Sequence, residues 1–308
     1  MRDGQVVLSG RLQMLADMVT KGHRTADVGC DHGFLSIYLV QQGICPRVLA
    51  MDVRKGPLAA ARGHVAVHGL ETYIETRLSD GLAALCPGEA ETLVCAGMGG
   101  PLMEKILREG MDKARSLKEL ILQPQSEIGA FRCFLREEGF RILAEDAVRE
   151  DGKYYFAMKA AYAGSGGGES LPEARRGRET AQDRSALSLR GSGGVSRAIA
   201  DEYGELLLRE GHPVLKQYLD FRKGVLEQIE GRLLACARGG MRDARAEAGS
   251  GRTAAAGGTE AGSGRTAARL AQVQEELRGV YEALRQWDDP PEAAEVKHLF
   301  DKDAAGRR

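Results

Sequence analysis

A chain of 308 residues in which 43 lysines and arginines face 44 acids carries a formal net charge of −1, so it lacks the global basic surplus that advertises nucleic-acid binding, and any RNA contact must come from a local patch. Its length suits one sizeable α/β domain plus a smaller one. Six cysteines, Cys30, Cys45, Cys86, Cys95, Cys133 and Cys236, form no C-x-x-C pair, which argues against a zinc site and a disulfide framework; with no signal-peptide core and no run near the ~20 apolar residues of a membrane helix, the expectation is a soluble protein of a reducing cytoplasm.

Ser9 can cap a helix that carries Leu12, Leu15, Ala16 and Val19 on one face. From there to about Ala160, short β-rich runs alternate with helical stretches. Strands are predicted at Thr25–Val28, Val48–Asp52, Tyr73–Leu78, Thr92–Ala96, Leu120–Gln123, Ile142–Arg149 and Tyr154–Ala160, with helices between the first six. Gly43, Gly69, Gly110 and Gly139 fall where helices would end. Asp151-Gly152 is a two-residue hairpin turn, so the last two strands should run antiparallel. The pattern reads as an α/β fold around a seven-stranded, mostly parallel sheet.

Beyond Ala160 the character changes, with half of the 40 glycines lying in residues 163–268. Two polar runs, 163–195 and 238–268, read as flexible linkers, and the second repeats AGSGRTAA at 248–255 and 261–268. Between and after them, Leu215, Leu219, Leu226, Ile229 and Leu233, then Leu270, Val273, Leu277, Val280, Leu284 and Trp287, follow a heptad-like spacing that Arg222 interrupts. The expected organisation is a sheet domain over 1–162, a linker over 163–195, and an antiparallel helical hairpin over 196–300 interrupted by a low-complexity insert at about 238–268. Two helices packed individually on the sheet domain are the alternative.

In an open parallel sheet the ligand lies beyond the carboxyl ends of the strands, so the residues just after each strand are the candidates. The segment ADVGCDHGFL, Ala26–Leu35, places Gly29 and Gly33 at the first strand end together with two carboxylates, Asp27 and Asp31. A loop for diphosphate would avoid that charge, whereas a cationic ligand would welcome it. The G-x-G-x-x-G spacing of dinucleotide sites is absent, because Asp31 stands two residues after Gly29. S-adenosylmethionine, with its sulfonium and ammonium groups, fits the charge. Asp52 at the second strand end suits a ribose diol, and Asp80, before Gly81, suits an adenine amine that only donates. Cys30, Gly97 and Met98 complete the candidate cofactor set.

Gly97, Gly99 and Gly100 directly follow the fourth strand, a costly run that close approach of a flat ring would explain; Gly99 and Gly100 are therefore candidates for the acceptor, with Arg11 and His32. Asp31 is the candidate catalytic acid, because it is the loop carboxylate not needed to end the first strand. Arg222, Lys223, Arg232 and Arg238 are possible phosphate contacts on the helices. No metal-spaced cluster appears, and nothing points to an obligate protein partner.

Taken in order, SGRL at 9–12, ADVGCDHGFL at 26–35, GP at 56–57, SDGL at 79–82, AGMGG at 96–100, LILQP at 120–124 and EDGKYY at 150–155 resemble the bacterial tRNA adenine-N1 methyltransferases of the TrmK family. The resemblance is close over about residues 8–160 and loose over 203–235. It implies a class I methyltransferase (Rossmann-like) domain followed by a helical coiled-coil domain, S-adenosylmethionine as methyl donor, adenine 22 of tRNA as acceptor, and Asp31 in the place of the family's catalytic Asp. Cys30 stands where that family usually has Ser, Asp52 for Glu, Phe34 for Tyr and Ser36 for Pro. A methyltransferase acting on protein or a small molecule, and a non-catalytic RNA-binding protein of this fold, use the same residues.

Overall fold

The computed structural model describes residues 4–164, 196–249 and 259–288. They fall into two compact units, one comprising residues 4–164 together with Ala200–Val214, the other residues 196–199 with the described residues from Leu215 onward.

The first unit opens on α1 (Gly10–Met18), whose first turn is closed by Ser9 Oγ accepting from the Leu12 N–H. There follow β1 (Thr25–Val28), α2 (Phe34–Gln41), β2 (Val48–Asp52), α3 (Lys55–Val67), β3 (Ile74–Leu78), β4 (Thr92–Met98), α4 (Gly100–Glu109), α5 (Met111–Ser116), β5 (Glu119–Pro124), α6 (Ile128–Glu137), β6 (Phe140–Glu150) and β7 (Lys153–Tyr162). The sheet order is β3-β2-β1-β4-β5-β7-β6. The first five strands in that order run parallel, and β7 is antiparallel to both β5 and β6. The sequence reading of a parallel sheet ended by an antiparallel hairpin is borne out.

The physical causes are local. β1, β2 and β5 are buried at every position, as strands covered on both faces must be; their apolar residues are joined by the buried polar Thr25, Asp27, Asp52, Glu119 and Gln123, most of them towards the strand ends. Their side chains alternate between two layers. Leu93, Cys95, Leu120 and Leu122 meet Met103, Leu107, Phe131 and Leu135 on one face, while Val94 and Ile121 meet Leu15, Ile37, Leu39 and Leu58 on the other. At the hairpin, Asp151 and Gly152 both take positive φ, 48° and 75°, as a type I′ turn requires.

Two features differ from the sequence reading. β4 does not stop at Ala96 but continues to Met98, opposite Pro124, across an irregularity at Gly97, whose φ of 79° no β-branched residue would accept. Residues 200–214 group with the sheet domain rather than with the helices. They contain α8 (Glu205–Arg209), the helix after α7 (Arg197–Tyr203). The anchor is a buried ion pair, Arg132 Nε to Glu145 Oε1 at 2.8 Å. Arg132 Nη1 also donates to the carbonyls of Asp201 and Glu202, and Glu145 Oε2 accepts from the Leu206 N–H.

In the second unit, α9 (Pro213–Gly249) and α10 (Thr259–Asp288) enter the stretch read as a low-complexity insert from both sides. Within that stretch MRDARAEA is rich in good helix formers; residues 250–258 and the linker at 165–195 lie outside the described residues. Leu215, Leu219 and Leu226 of α9 and Val273, Leu277, Val280 and Ala283 of α10 are buried. Nine residues span at most ~33 Å, while α9 is about 55 Å long, so the helices can pair only antiparallel. Arg222 bonds Glu276, Glu230 accepts from Gln274, and Glu227 accepts from Tyr281. Arg222, the residue that broke the heptad, is thus an inter-helix ion pair; Lys223 lies over the Tyr281 ring, Arg232 is exposed, and the Arg238 side chain lies outside the described residues.

Candidate active site

The order of the strands reverses between β1 and β4, and the residues singled out from the sequence lie along that edge. Beyond Val28 the chain turns sharply: the Gly29 and Cys30 N–H groups both donate to the Met51 carbonyl, at 2.8 and 2.9 Å. Gly29 has φ 76°, and a Cβ there would overlap Met98 Cε at the end of β4. The two strand ends are therefore in contact across the switch point, and the glycine leaves a cradle next to a flexible thioether. Gly33 (φ 75°) begins α2 with its Cα facing Ala61, where a Cβ would come within 3.1 Å of the alanine methyl.

Asp27 is buried on β1 and accepts from Ser36 Oγ at 2.7 Å. Burial pushes its carboxyl up to about 6; the Ser36 bond pulls the other way, and the charge of Asp52 adds to the rise. Asp31 occupies the left-handed region at φ 49° and exposes its carboxylate. Its N–H donates to Asp52 Oδ2 at 3.3 Å. Asp52 is buried, and its Oδ1 accepts from the Arg54 N–H at 2.8 Å. Burial and the neighbouring carboxylates push the Cys30 thiol well up, so it remains protonated.

Sequence reasoning passed over Arg54. Its guanidinium reaches 3.8 Å from Asp31 and 3.5 Å from Asp52, a cation held between the two acids on the cofactor edge. The signal was available, a base two residues past the acid that ends the second strand, although its reach back to Asp31 was not. His32 stands beside Asp31, Nε2 to Oδ2 at 3.8 Å.

Asp80 is exposed in the turn after β3, where Gly81 takes φ 51° against Ile106. The Ser79 N–H, one residue earlier, donates to the Asp52 carbonyl, which ties this turn to the β2 end. On the other side of the switch point, a Cβ on Gly97 would lie 3.2 Å from Arg11 Nη1. Arg11 is a fixed residue: it donates to Gln123 Oε1 at 3.0 Å and lies over the Tyr155 ring. It covers the β4–β5 end. Gly99 and Gly100 lie against Ser126, where a Cβ on Gly100 would approach the Ser126 carbonyl to 2.6 Å, so backbone packing accounts for Gly100. A surface cavity of about 610 Å³ lies at the opposite end of the sheet, lined by Arg24, Pro46, Arg47, Thr72 and Tyr73, and shares none of these residues.

A methyltransferase-domain family model matches residues 8–158. The tRNA (adenine(22)-N(1))-methyltransferase of Bacillus subtilis is 36% identical over 156 residues, 51% of this chain and 66% of that protein. A putative tRNA methyltransferase of Mycoplasma pneumoniae is 33% identical over 150 residues, 48% of this chain and 68% of its own length. The chain belongs to the TrmK methyltransferase family. Among solved structures, a putative tRNA (m1A22) methyltransferase of Streptococcus pneumoniae superposes with a TM-score of 0.63 at 26% identity, covering 90% of this chain and all of that one. The same protein has also been solved with S-adenosyl-L-methionine. The chain thus covers just under two thirds of the Bacillus relative in sequence, while in structure the likeness extends over both units. No helix among the described residues is long and apolar enough to cross a membrane.

Proposed function

We propose that this chain transfers a methyl group from S-adenosyl-L-methionine to N1 of an adenine in tRNA, at position 22 as in the named relatives. The observation that carries the proposal is the acidic switch point: three carboxylates, Asp27, Asp31 and Asp52, converge on a glycine cradle where a phosphate-binding loop would present bare amides. That donor set fits a cofactor with two positive groups. In this reading Asp27, Gly29, Cys30, Asp52, Asp80, Gly81, Gly97 and Met98 hold the cofactor, while Arg11, His32, Gly99 and Gly100 border the acceptor. When bound, the cofactor supplies an electrophilic methyl group. The adenine N1 lone pair forms the new N–C bond as the C–S bond breaks and its electron pair stays on sulfur, so positive charge passes to the base. The base must first leave any Watson–Crick pair that occupies N1. In this reading Asp31, whose carboxylate is exposed and whose backbone N–H donates to Asp52, stabilises that charge. A tRNA substrate and free cysteines support a cytoplasmic site of action.

Two measurements test this reading. Methyl transfer from labelled cofactor is expected into purified tRNA and not into an RNA-depleted extract; label in protein or small molecules instead would exclude tRNA as acceptor. The second follows from Asp27. Its carboxyl in the folded protein lies above its unfolded value, so the stability it contributes is complete below about pH 4 and lost as pH rises through about 6. Asp27→Asn is therefore expected to raise the melting temperature of the free protein at pH 7.5 and to leave it unchanged near pH 4. A cation binds the ionised form, so cofactor affinity by calorimetry should strengthen on the order of tenfold between pH 5 and 7. A flat affinity over that range would remove Asp27 from the cofactor site.

A further inference from the structure

Immediately beside Asp31, three rings cluster at the protein surface. Phe34 and His64 stack, 4.8 Å apart at 20°, and His32 closes a triangle of rings, 6.1 Å from Phe34 and tilted at 42° to His64 across 5.9 Å. The arrangement is built: the His64 Nδ1–H donates to the His32 carbonyl at 2.9 Å, which locks the α3 ring to the loop after β1. Phe34 is nevertheless 40% exposed and the His32 side chain about half exposed. A single exposed ring is ordinary on a protein surface; what distinguishes this one is its place beside Asp31 and its support by two further rings.

The surface next to the rings identifies the partner's chemistry. From Arg54 to Leu70 the chain carries Arg54, Lys55, Arg62, His64 and His68 and not one acid, although acids and bases balance over the chain as a whole. Lys55 and Arg62 are exposed on α3. Between them the exposed face is Gly56, Ala59 and Gly63, and a Cβ on either glycine would meet nothing within 4 Å. The face is therefore low as well as basic, so a backbone of phosphates could run close to it with its charge matched. Arg54 is drawn to Asp31 and Asp52, which leaves Lys55 and Arg62 as the cations offered beside the exposed ring, and an aromatic surface next to cations is what unpaired RNA requires; an acidic peptide would use the cations and leave the rings idle.

We propose that the His32, Phe34 and His64 cluster, with the exposed Phe34 ring at its centre, is a platform for an unpaired tRNA base next to the methylated adenine, with Lys55 and Arg62 of α3 on the adjoining phosphates. This rests on the tRNA reading above and extends it. The function does not otherwise need the rings, since Phe34 and His64 belong to none of the cofactor contacts.

The test uses the full chain and unmodified tRNA, with binding read by fluorescence anisotropy and methylation read separately. Phe34→Ala is expected to weaken tRNA binding about 5- to 150-fold, the range for losing one stacked base. Phe34→Tyr should restore binding to within about twofold, and cofactor affinity should not move in either variant. Arg62→Gln should lower the slope of log affinity against log salt by close to one ion, a readout that a merely structural role for Arg62 would leave unchanged. Melting curves establish that each variant is folded. Phe34→Ala that binds tRNA like the wild type, or that loses cofactor affinity instead, overturns the platform. Wild-type chain that binds tRNA without methylating it overturns the proposed function while leaving the platform to be judged on the binding data.

Discussion

Asp31→Asn is expected to lower turnover by about 10²- to 10³-fold, with cofactor and tRNA affinities within about threefold of wild type. The size follows from losing one fixed charge aimed at a centre where opposite charge develops, an effect absent from the ground state and therefore expressed in kcat rather than in binding. Asparagine is the informative replacement because residue 31 sits at φ 49°. Asp and Asn tolerate the left-handed region, whereas alanine would add strain. The N–H bond to Asp52 survives the change. Arg54 and His32 lose a partner at 3.8 Å, but all three side chains are exposed, so stability should hardly move. Rapid single-turnover kinetics with saturating tRNA measures the step directly, and wild-type turnover in this variant would take Asp31 out of the chemistry.

The largest stability effect is predicted far from the chemistry. Arg132→Ala should destabilise the protein by about 3–5 kcal/mol, because it leaves Glu145 charged, buried and without its cation. Two further bonds go with it, from Arg132 to the Asp201 and Glu202 carbonyls, so residues 200–214 lose their attachment to the sheet domain. Pairing the change with Glu145→Leu removes the orphaned charge and should recover part of the loss. It should not recover all of it, since the Leu206 N–H and two carbonyls would still lack partners. Urea denaturation of the single and double variants checks this. A single variant within about 1 kcal/mol of wild type, on the scale of an exposed pair, would show that Arg132 and Glu145 are not a buried couple in solution.

The parts of the fold visible in the sequence were those with local causes. β1, β2 and β5 could be read because both faces are covered and short apolar stretches between glycine- and acid-bearing turns mark them, and the hairpin because Asp151 and Gly152 both accept positive φ. The docking of residues 200–214 could not be read. Its anchor joins Arg132 to Glu145, 13 residues away, and to carbonyls 69 and 70 residues away, and an isolated Arg on a helix ordinarily means a solvated face. The continuation of α9 and α10 into 238–268 was masked by glycine content, although MRDARAEA has helix propensity throughout. At the candidate site, strand-end position brought Asp31 and Asp52 together on paper because both follow directly from the sheet topology. Arg54 between the acids, and Phe34 against His64 across 30 residues of chain, depend on how α2 and α3 lie on the sheet, and periodicity does not encode that.

The central claim is most directly tested by mapping the modified nucleotide. Unmodified tRNA incubated with the full chain and S-adenosyl-L-methionine, digested and analysed by mass spectrometry and by reverse-transcription stops, should yield N1-methyladenosine at position 22 and should yield almost none with Asp31→Asn. Methylation at another atom or nucleotide, or an unchanged product with Asp31→Asn, would contradict the account.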